Sequence, residues 1–450
     1  LLASYSSRLI NKLGLFDFSV SSANKAFGAQ NFYTASYPTQ YEETATLQSQ
    51  LSWEQTFNNL KLKGAVHART HNDMFELFRE SEGYYDSTED GFFVMEGDTA
   101  ALYAPGMSWY NGPNRHKSLT KGICGSAVYD GKLGFIALRF DVRNERILSN
   151  VLGTVEGAME GDTVYTKGDS RTTTELAVSH RVSAGRFAST LTGAITNGVF
   201  GTFFLPGADI TMRLDKDGDA MWFGSANRSM RQPSYTDLYY NIGGAQGSID
   251  LQPEWADNFE TGVRVFMNIN ENLGLSIEQT AFVRQGHDLI DWVRYEGDET
   301  TVATNLREVT FTGMETSVKL NAAKGNYLKA SYTSMKASES SAGFESNYVL
   351  DFLKHKLDLS AGILLPADVN LTLRYSLQDR EGGYYNPVVG EEVEFEALGL
   401  FGLSMTKEFM DGEFRTHLRV DNALDIEVHD IGNVLLPGRM IRVGLTFALD

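Results

Sequence analysis

The sequence predicts an all-β fold: one domain, residues 1–450, forming a transmembrane antiparallel β-barrel with about 19 strands. Three observations carry this. Apolar and polar residues alternate with a period of two over long stretches. The connections between those stretches switch between very short and long. No run of about 18 apolar residues occurs, so a transmembrane helix is excluded while a barrel is not.

The alternation is clearest in three segments. From Phe259 to Ile269, one face carries Phe259, Thr261, Val263, Val265, Met267 and Ile269, and the other Glu260, Gly262, Arg264, Phe266 and Asn268. From Val369 to Gln378, Val369, Leu371, Leu373, Tyr375 and Leu377 oppose Asn370, Thr372, Arg374, Ser376 and Gln378. From Glu413 to Asp421, Phe414, Thr416, Leu418 and Val420 oppose Arg415, His417 and Arg419. Such strands bury only alternate side chains in lipid, so average hydropathy stays low.

Short connections fall near Asp130–Lys132, Ser183–Gly185, Asp215–Gly218, Asn270–Asn272, Ala323–Gly325, Pro366 and Met410–Gly412. Long polar loops fall near Phe78–His116, Glu145–Arg171, Met230–Asn258, Ile290–Val309, Lys336–Lys354, Gln378–Glu394 and Asn422–Pro437. A soluble sheet or propeller predicts regular loops or a repeat of about 40–50 residues, and no repeat is present. Short turns on one rim and long loops on the other are the layout of an outer-membrane barrel. If the last strand, Arg439–Leu449, ends on the short-turn rim, an odd strand count places Leu1 at the long-loop rim.

Composition agrees. Gly is abundant at 43, Pro scarce at 9, and aromatics reach 12%, with 20 Tyr and 27 Phe suited to strands and interfacial girdles. A single cysteine, Cys124, excludes an intrachain disulfide, and a net charge of −19 argues against nucleic acid as a partner. Leu1 to Ser7 already alternate like a strand and show no signal-peptide pattern.

Several segments resemble TonB-dependent outer-membrane receptors. Arg231-Gln-Pro233-Ser-Tyr-Thr-Asp-Leu238-Tyr239, then Leu251-Gln-Pro253-Glu254 and Glu260-Thr-Gly262, is similar to that family's signature for a long outer loop re-entering the wall. Val420-Asp-Asn422-Ala-Leu-Asp425, Pro437-Gly438-Arg439 and Gly444-Leu-Thr-Phe447 resemble its C-terminal hairpin, with an aromatic assembly signal at Phe447. Here Ala448-Leu-Asp450 follow, so the last residue is not aromatic. Within the family, the chain looks most like the cobalamin (vitamin B12) receptors of Bacteroidetes. That likeness rests on Asn24-Lys-Ala-Phe-Gly-Ala-Gln-Asn-Phe-Tyr33, Tyr37-Pro38, Gln40-Tyr-Glu42, Phe75-Glu-Leu-Phe-Arg79, Ser149-Asn-Val-Leu-Gly153, Asp288-Leu-Ile-Asp-Trp-Val293 and Tyr348-Val-Leu-Asp351.

The resemblance implies a 22-stranded barrel, an N-terminal plug with a TonB-box peptide, import of cobalamin or a related corrinoid driven by the TonB complex, and a surface lipoprotein cap. Plugged transporters have about 22 strands. A count of about 19 leads to the expectation that the plug and the first strands lie upstream of Leu1. The rival cargoes within the class are an iron–siderophore, haem or an oligosaccharide. Outside it stand a passive porin-like channel and a surface docking barrel.

No catalytic constellation is visible, and the expectation is that the chain is not an enzyme. His67 and His71 read as lumen residues, and His116 follows a long loop with the expectation that nothing resembling a nucleophile lies near it. The acidic stretch holding Glu82, Asp86 and Asp90 could bind Ca²⁺ through hard oxygen ligands, or be a solvated loop. Aromatics gather in the long loops: Tyr84, Tyr85, Trp109, Tyr110, Tyr239, Tyr240, Trp292, Tyr295, Tyr384 and Tyr385. They either grip a large, partly apolar cargo or pack loop on loop. Inward Arg264, Arg374, Arg415 and Arg419 either hold a plug or form a polar lumen wall.

Overall fold

Two neighbouring cross-strand rows show what the alternation builds. In one, Met267, Leu275, Leu320, Leu328, Ala361, Leu373, Leu403, Val420 and Ile441 stand side by side. One residue along each strand stand Asn268, Gly274, Asn321, Tyr327, Gly362, Thr372, Ser404, Arg419 and Arg442. A slip of one residue at any ladder would mix the rows, so burial of one face in lipid fixes every register. Leu328 and Ile441 are 55% and 63% exposed to solvent. That is anomalous in water and expected against hydrocarbon.

The computed structural model describes residues 1–29, 40–77, 85–87, 93–95, 112–295, 297–298, 300–338, 344–346, 352–386, 391–430 and 434–447. Its main sheet has 22 strands, three of them fragments of two or three residues: Asn241–Ile242, Ala245–Gln246 and Phe344–Ser346. The other 19 form the wall. They are β1 Leu2–Asn11, β2 Gly14–Gly28, β3 Tyr41–Phe57, β4 Leu60–Glu76, β5 Asn114–Gly131, β6 Gly134–Ser149, β7 Lys167–Ala184, β8 Phe187–Gly198, β9 Gly201–Arg213 and β10 Ala220–Arg231. They continue as β11 Glu254–Asn270, β12 Leu273–Tyr295, β13 Thr301–Ala322, β14 Tyr327–Ala337, β15 Leu353–Leu365, β16 Val369–Arg380, β17 Leu398–Phe409, β18 Phe414–Asp421 and β19 Met440–Phe447.

Each wall strand pairs antiparallel with the next in the chain. Among the described residues, no ladder joins β1 to β19. Leu1 lies at the long-loop rim, where its amino group donates to the Asn24 carbonyl, and Phe447 pairs with Phe414 at the short-turn rim. The short turns use left-handed backbone. In Ala323–Gly325 and Met410–Gly412, Lys324 and Asp411 adopt φ 62° and 52°, followed by glycines at 76° and 99°. Successive positive φ values match the twist of the flanking strands.

The structure corrects two loop expectations. Ile290–Val309 is not a loop: β12 and β13 run through it, leaving only residues 296–300 as the connection. The segment hides its period because both faces are covered. Leu289, Ile290, Asp291 and Val293 are all buried, Asp291 among them, so apolar and polar residues do not alternate in step with a buried and an exposed face. The long-and-short regularity also has an exception, since Val199–Phe200 is a two-residue turn on the outer rim. The other long loops carry short structure of their own. Helix α1, Tyr235–Tyr239, lies between β10 and β11, and a hairpin of Gly383–Asn386 with Glu391–Glu394 lies between β16 and β17.

Candidate functional site

The outer rim is built on a latch that begins with Arg231, the last residue of β10. Its cross-strand partner is Glu254, the first residue of β11. The guanidinium meets that carboxylate in a fork, Nε to Oε1 at 2.8 Å and Nη2 to Oε2 at 3.1 Å. Its Nη1 donates to Asp237 Oδ2 at 3.3 Å. Asp237 also accepts from the Ser234 backbone N–H and hydroxyl and from Trp292 Nε1. Glu254 Oε2 accepts the Ile290 N–H at 2.8 Å. One arginine thus joins two strands, a helix start and β12, in a planar geometry that lysine could not reproduce.

Helix α1 starts where the local sequence says it should. Ser234 caps it, accepting from the Asp237 N–H at 3.0 Å, while Asp237 reaches back to the Ser234 N–H. The local signal for this reciprocal capping box, Ser-x-x-Asp, was not among those singled out from the sequence. Beneath it, Leu238 and Leu251 are buried with Ile290 and Ala303. Gly247 lies against α1, and a side chain there would meet the Asp237 carbonyl.

The helix is fastened on its far side as well. Arg171 Nη1 donates to the Pro233 carbonyl at 2.6 Å, its Nε pairs with Glu145 at 2.8 Å, and its guanidinium lies 4.8 Å from the Tyr235 ring centre. Tyr235 donates to the Glu145 carbonyl, and Tyr239 to Asp169 Oδ2 at 2.8 Å. Burial, together with the neighbouring Asp169, pushes the Tyr239 hydroxyl up to about 12, so it stays a donor at every physiological pH. Ile147, Val151 and Leu152 complete the packing against Tyr235, Tyr239, Tyr240 and Ile242. Glu145, Asp169 and Arg171 were not among the residues singled out from the sequence.

Below the latch the lumen wall holds a cavity of ≈ 990 Å³. Phe223, Phe282, Phe311 and Phe352 give it aromatic walls, and Arg231, Glu254, Glu260, Arg264, Glu278, Arg284 and Glu315 its polar groups. Arg264 and Glu278 face each other across β11 and β12 at 2.7 Å. Gly262 and Gly313 leave room for the Phe223 and Phe282 rings, which a side chain at either position would strike. Large-ligand sites share this make-up of apolar surface and a few placed polar groups.

Of the aromatics expected on the rim, Tyr239, Tyr240 and Trp292 come together. They are partly buried, with Tyr240 edge-on to Trp292 at 6.4 Å. Tyr239 and Trp292 have committed their polar atoms to Asp169 and Asp237. Tyr85 lies in a strand paired with Phe93–Met95, and Tyr384 and Tyr385 in the strand paired with Glu391–Glu394. Tyr84, Trp109, Tyr110, Glu82 and Asp90 lie outside the described residues, and for Asp86 only the backbone is described. Among the described residues, no group of three metal-ligating side chains gathers.

The C-terminal motif is a second fastening. Asn422 bonds both polar atoms of Ile426, and Asp425 accepts the Arg439 N–H at 2.7 Å. Gly438 passes so close to Asp425 that a side chain would meet its carboxylate. Pro437 is exposed beside it. Phe447 stacks on Phe414 at 4.6 Å and Phe414 on Phe409 at 5.5 Å, an aromatic girdle at the short-turn rim. Three of the four inward arginines pair with wall carboxylates: Arg264 with Glu278, Arg415 with Glu408, and Arg419 with Asp421.

Strand pairing also assembles a group the sequence does not show. Asp73, His116 and Ser149 are successive cross-strand partners on β4, β5 and β6, with His116 Nδ1 2.8 Å from Ser149 Oγ. This corrects the expectation that no nucleophile type stands near His116. The residue types are those of a hydrolytic triad, but the geometry serves the loop. Ser149 is fully buried, and its Oγ accepts the N–H groups of Val151 and Leu152, both at 2.8 Å. A nucleophile needs that oxygen free and reachable by substrate.

A meander with a lipid row outside, a wet face inside and fastened loops on one rim defines a transmembrane outer-membrane β-barrel. The chain belongs to the TonB dependent receptor-like, beta-barrel family, which matches residues 3–422. It is therefore an outer-membrane protein of Gram-negative bacteria and a member of a family of transporters rather than enzymes.

The fold is similar to that of the siderophore receptor PirA from Acinetobacter baumannii, at 13% identity and TM-score 0.69. It is similar to the FrpB iron transporter from Neisseria meningitidis, at 12% and 0.70. It is also similar to a double mutant of the Serratia marcescens haemophore receptor HasR, solved with its haemophore HasA and haem, at 12% and 0.68. Each comparison covers 99% of this chain and 70% of the other. No curated protein matches the sequence.

Proposed function

We propose that the chain is the wall and outer rim of an active importer for cobalamin or a related corrinoid. In this reading cargo binds at the outer mouth and the TonB complex drives its release toward the periplasm. A plug domain gates the lumen, and a surface lipoprotein caps the loaded rim. The observation that supports it best is the aromatic-walled luminal cavity directly beneath the Arg231 latch, which suits a bulky, partly apolar cargo with polar substituents. The corrinoid itself rests on the sequence resemblance, including Ser149–Gly153 and Asp288–Val293, which both build the outer rim.

A second reading, an iron–siderophore or haem as cargo, is favoured by the solved structures of similar fold. These include a siderophore receptor and a receptor bound to haemophore and haem.

Calorimetry on the full-length receptor separates them. Cyanocobalamin is expected to bind at micromolar or tighter levels, and a ferric catecholate siderophore and haem not to bind. Binding of either of those two, without cyanocobalamin, replaces the corrinoid by the second reading. Calcium in the loop of Glu82, Asp86 and Asp90 is part of the proposal, so adding EGTA is expected to weaken cyanocobalamin binding; an unchanged titration removes calcium from it.

A further inference from the structure

The upper ends of β12 and β13 stand above the rest of the wall. β11 accompanies β12 only as far as the pair Trp255 and His287, and β14 accompanies β13 only as far as Ala337 and Phe311. Beyond those points both edges would be open. Each is covered by a fragment from a loop that has crossed over. Phe344–Ser346, which follows β14, pairs with Val293–Tyr295 on the edge of β12. Ala245–Gln246, which precedes β11, pairs in parallel with Thr301–Val302 on the edge of β13. Each fragment therefore sits on the edge farther from its own wall strand.

The two faces of the ribbon are divided in the same way. Leu238 and Leu251 of the α1 loop pack on Ile290 and Ala303, with Trp292 against them. Phe344 and Phe352 pack on Leu289, Val309 and Phe311. Asp288, just before these residues, has a left-handed backbone at φ 52°.

Consecutive residues carry the polar fastenings. Trp292 Nε1 donates to Asp237 Oδ1 at 3.2 Å, toward the α1 loop. Asp291, with no exposed surface, accepts from Ser346 Oγ toward the other, and its Oδ1 accepts the Trp292 N–H at 2.8 Å.

We propose that β12 is a shared pin, and that Asp291 and Trp292 are positioning residues that make the α1 loop and the Phe344–Ser346 strand one mechanical body at the outer mouth. Neither can leave the ribbon without loosening the neighbour, in sequence and by hydrogen bond, of the residue that holds the other. Because Leu289, Phe311 and Phe352 border the luminal cavity, the body sets its roof as a unit. The consequence for cargo rests on the proposed importer function; the coupling does not.

Hydrogen exchange on the full-length receptor without cargo tests the coupling by itself. Asp291→Asn is expected to speed exchange about tenfold at the amides of Phe344–Ser346 and also at those of Tyr240 and Gly247–Ser248, on the other loop. Trp292→Phe, which keeps a ring and removes the donor, is expected to do the same in reverse. Exchange in β15 to β17 stays at the wild-type rate. Ser346→Ala repeats the Asp291→Asn effect should that variant fail to fold, and Ser346→Thr, which retains the hydroxyl, restores wild-type rates on both sides. Faster exchange confined to the loop that lost its own bond, or none at all, overturns the coupling. Cargo titrations on the same variants then address the importer reading separately.

Discussion

Arg231→Met is expected to lower the local opening free energy of the outer rim by roughly 2–3 kcal/mol, read from exchange at Gly247 and Ser248. Methionine keeps most of the stem and removes the fork. Glu254 and Asp237, only 14% and 11% exposed at their side chains, are then left facing each other with three N–H donors gone. A lost hydrogen bond to a charged group costs about 1.5–3 kcal/mol, and breaking a fully buried pair about 3–5. The arginine side chain is itself 48% exposed, so the lower range applies. Arg231→Lys is expected to recover only part of the loss, because an ammonium cannot span both carboxylates in one plane. Wild-type exchange in Arg231→Met would mean that the rim is held by apolar packing alone.

The second large effect separates the two faces of the wall at adjacent residues. Leu373→Arg puts a guanidinium in the apolar row between Ala361 and Leu403. It is expected to destabilise the folded barrel in lipid vesicles by up to about 2–4 kcal/mol, according to its depth. Thr372→Arg, one residue away and facing the lumen beside Gly362 and Ser404, is expected to change stability by less than about 0.5 kcal/mol. The measurement is equilibrium unfolding from vesicles by denaturant. Equal costs at the two positions would contradict the assignment of faces.

The wall was legible because lipid imposes a strict rule on one side chain in two. Strands such as Glu254–Asn270 and Val369–Arg380 announce themselves, and a count of about 19 follows from the pattern. The β12–β13 ribbon was not legible for the opposite reason. Leu289 to Val293 are covered from both sides by loops, so no polar face remains to mark the period. The latch was half legible. Arg231, Pro233, Asp237 and Glu254 stand within one stretch of sequence, and the capping box is local. Their fastenings on the far side are not, because Arg171 reaches Pro233 across 62 residues and Tyr235 reaches Glu145 across 90. Asp73, His116 and Ser149 follow the same logic, since only cross-strand register makes them neighbours.

Energised uptake distinguishes an active importer from a passive channel. Cells carrying the full-length receptor as their sole candidate importer are supplied with radiolabelled cyanocobalamin at concentrations too low for passive entry. Accumulation is expected to be saturable, lost when the proton-motive force or the TonB complex is removed, and weakened by Arg231→Met. Uptake that is unsaturable and indifferent to energy would contradict active import and make the barrel a passive channel.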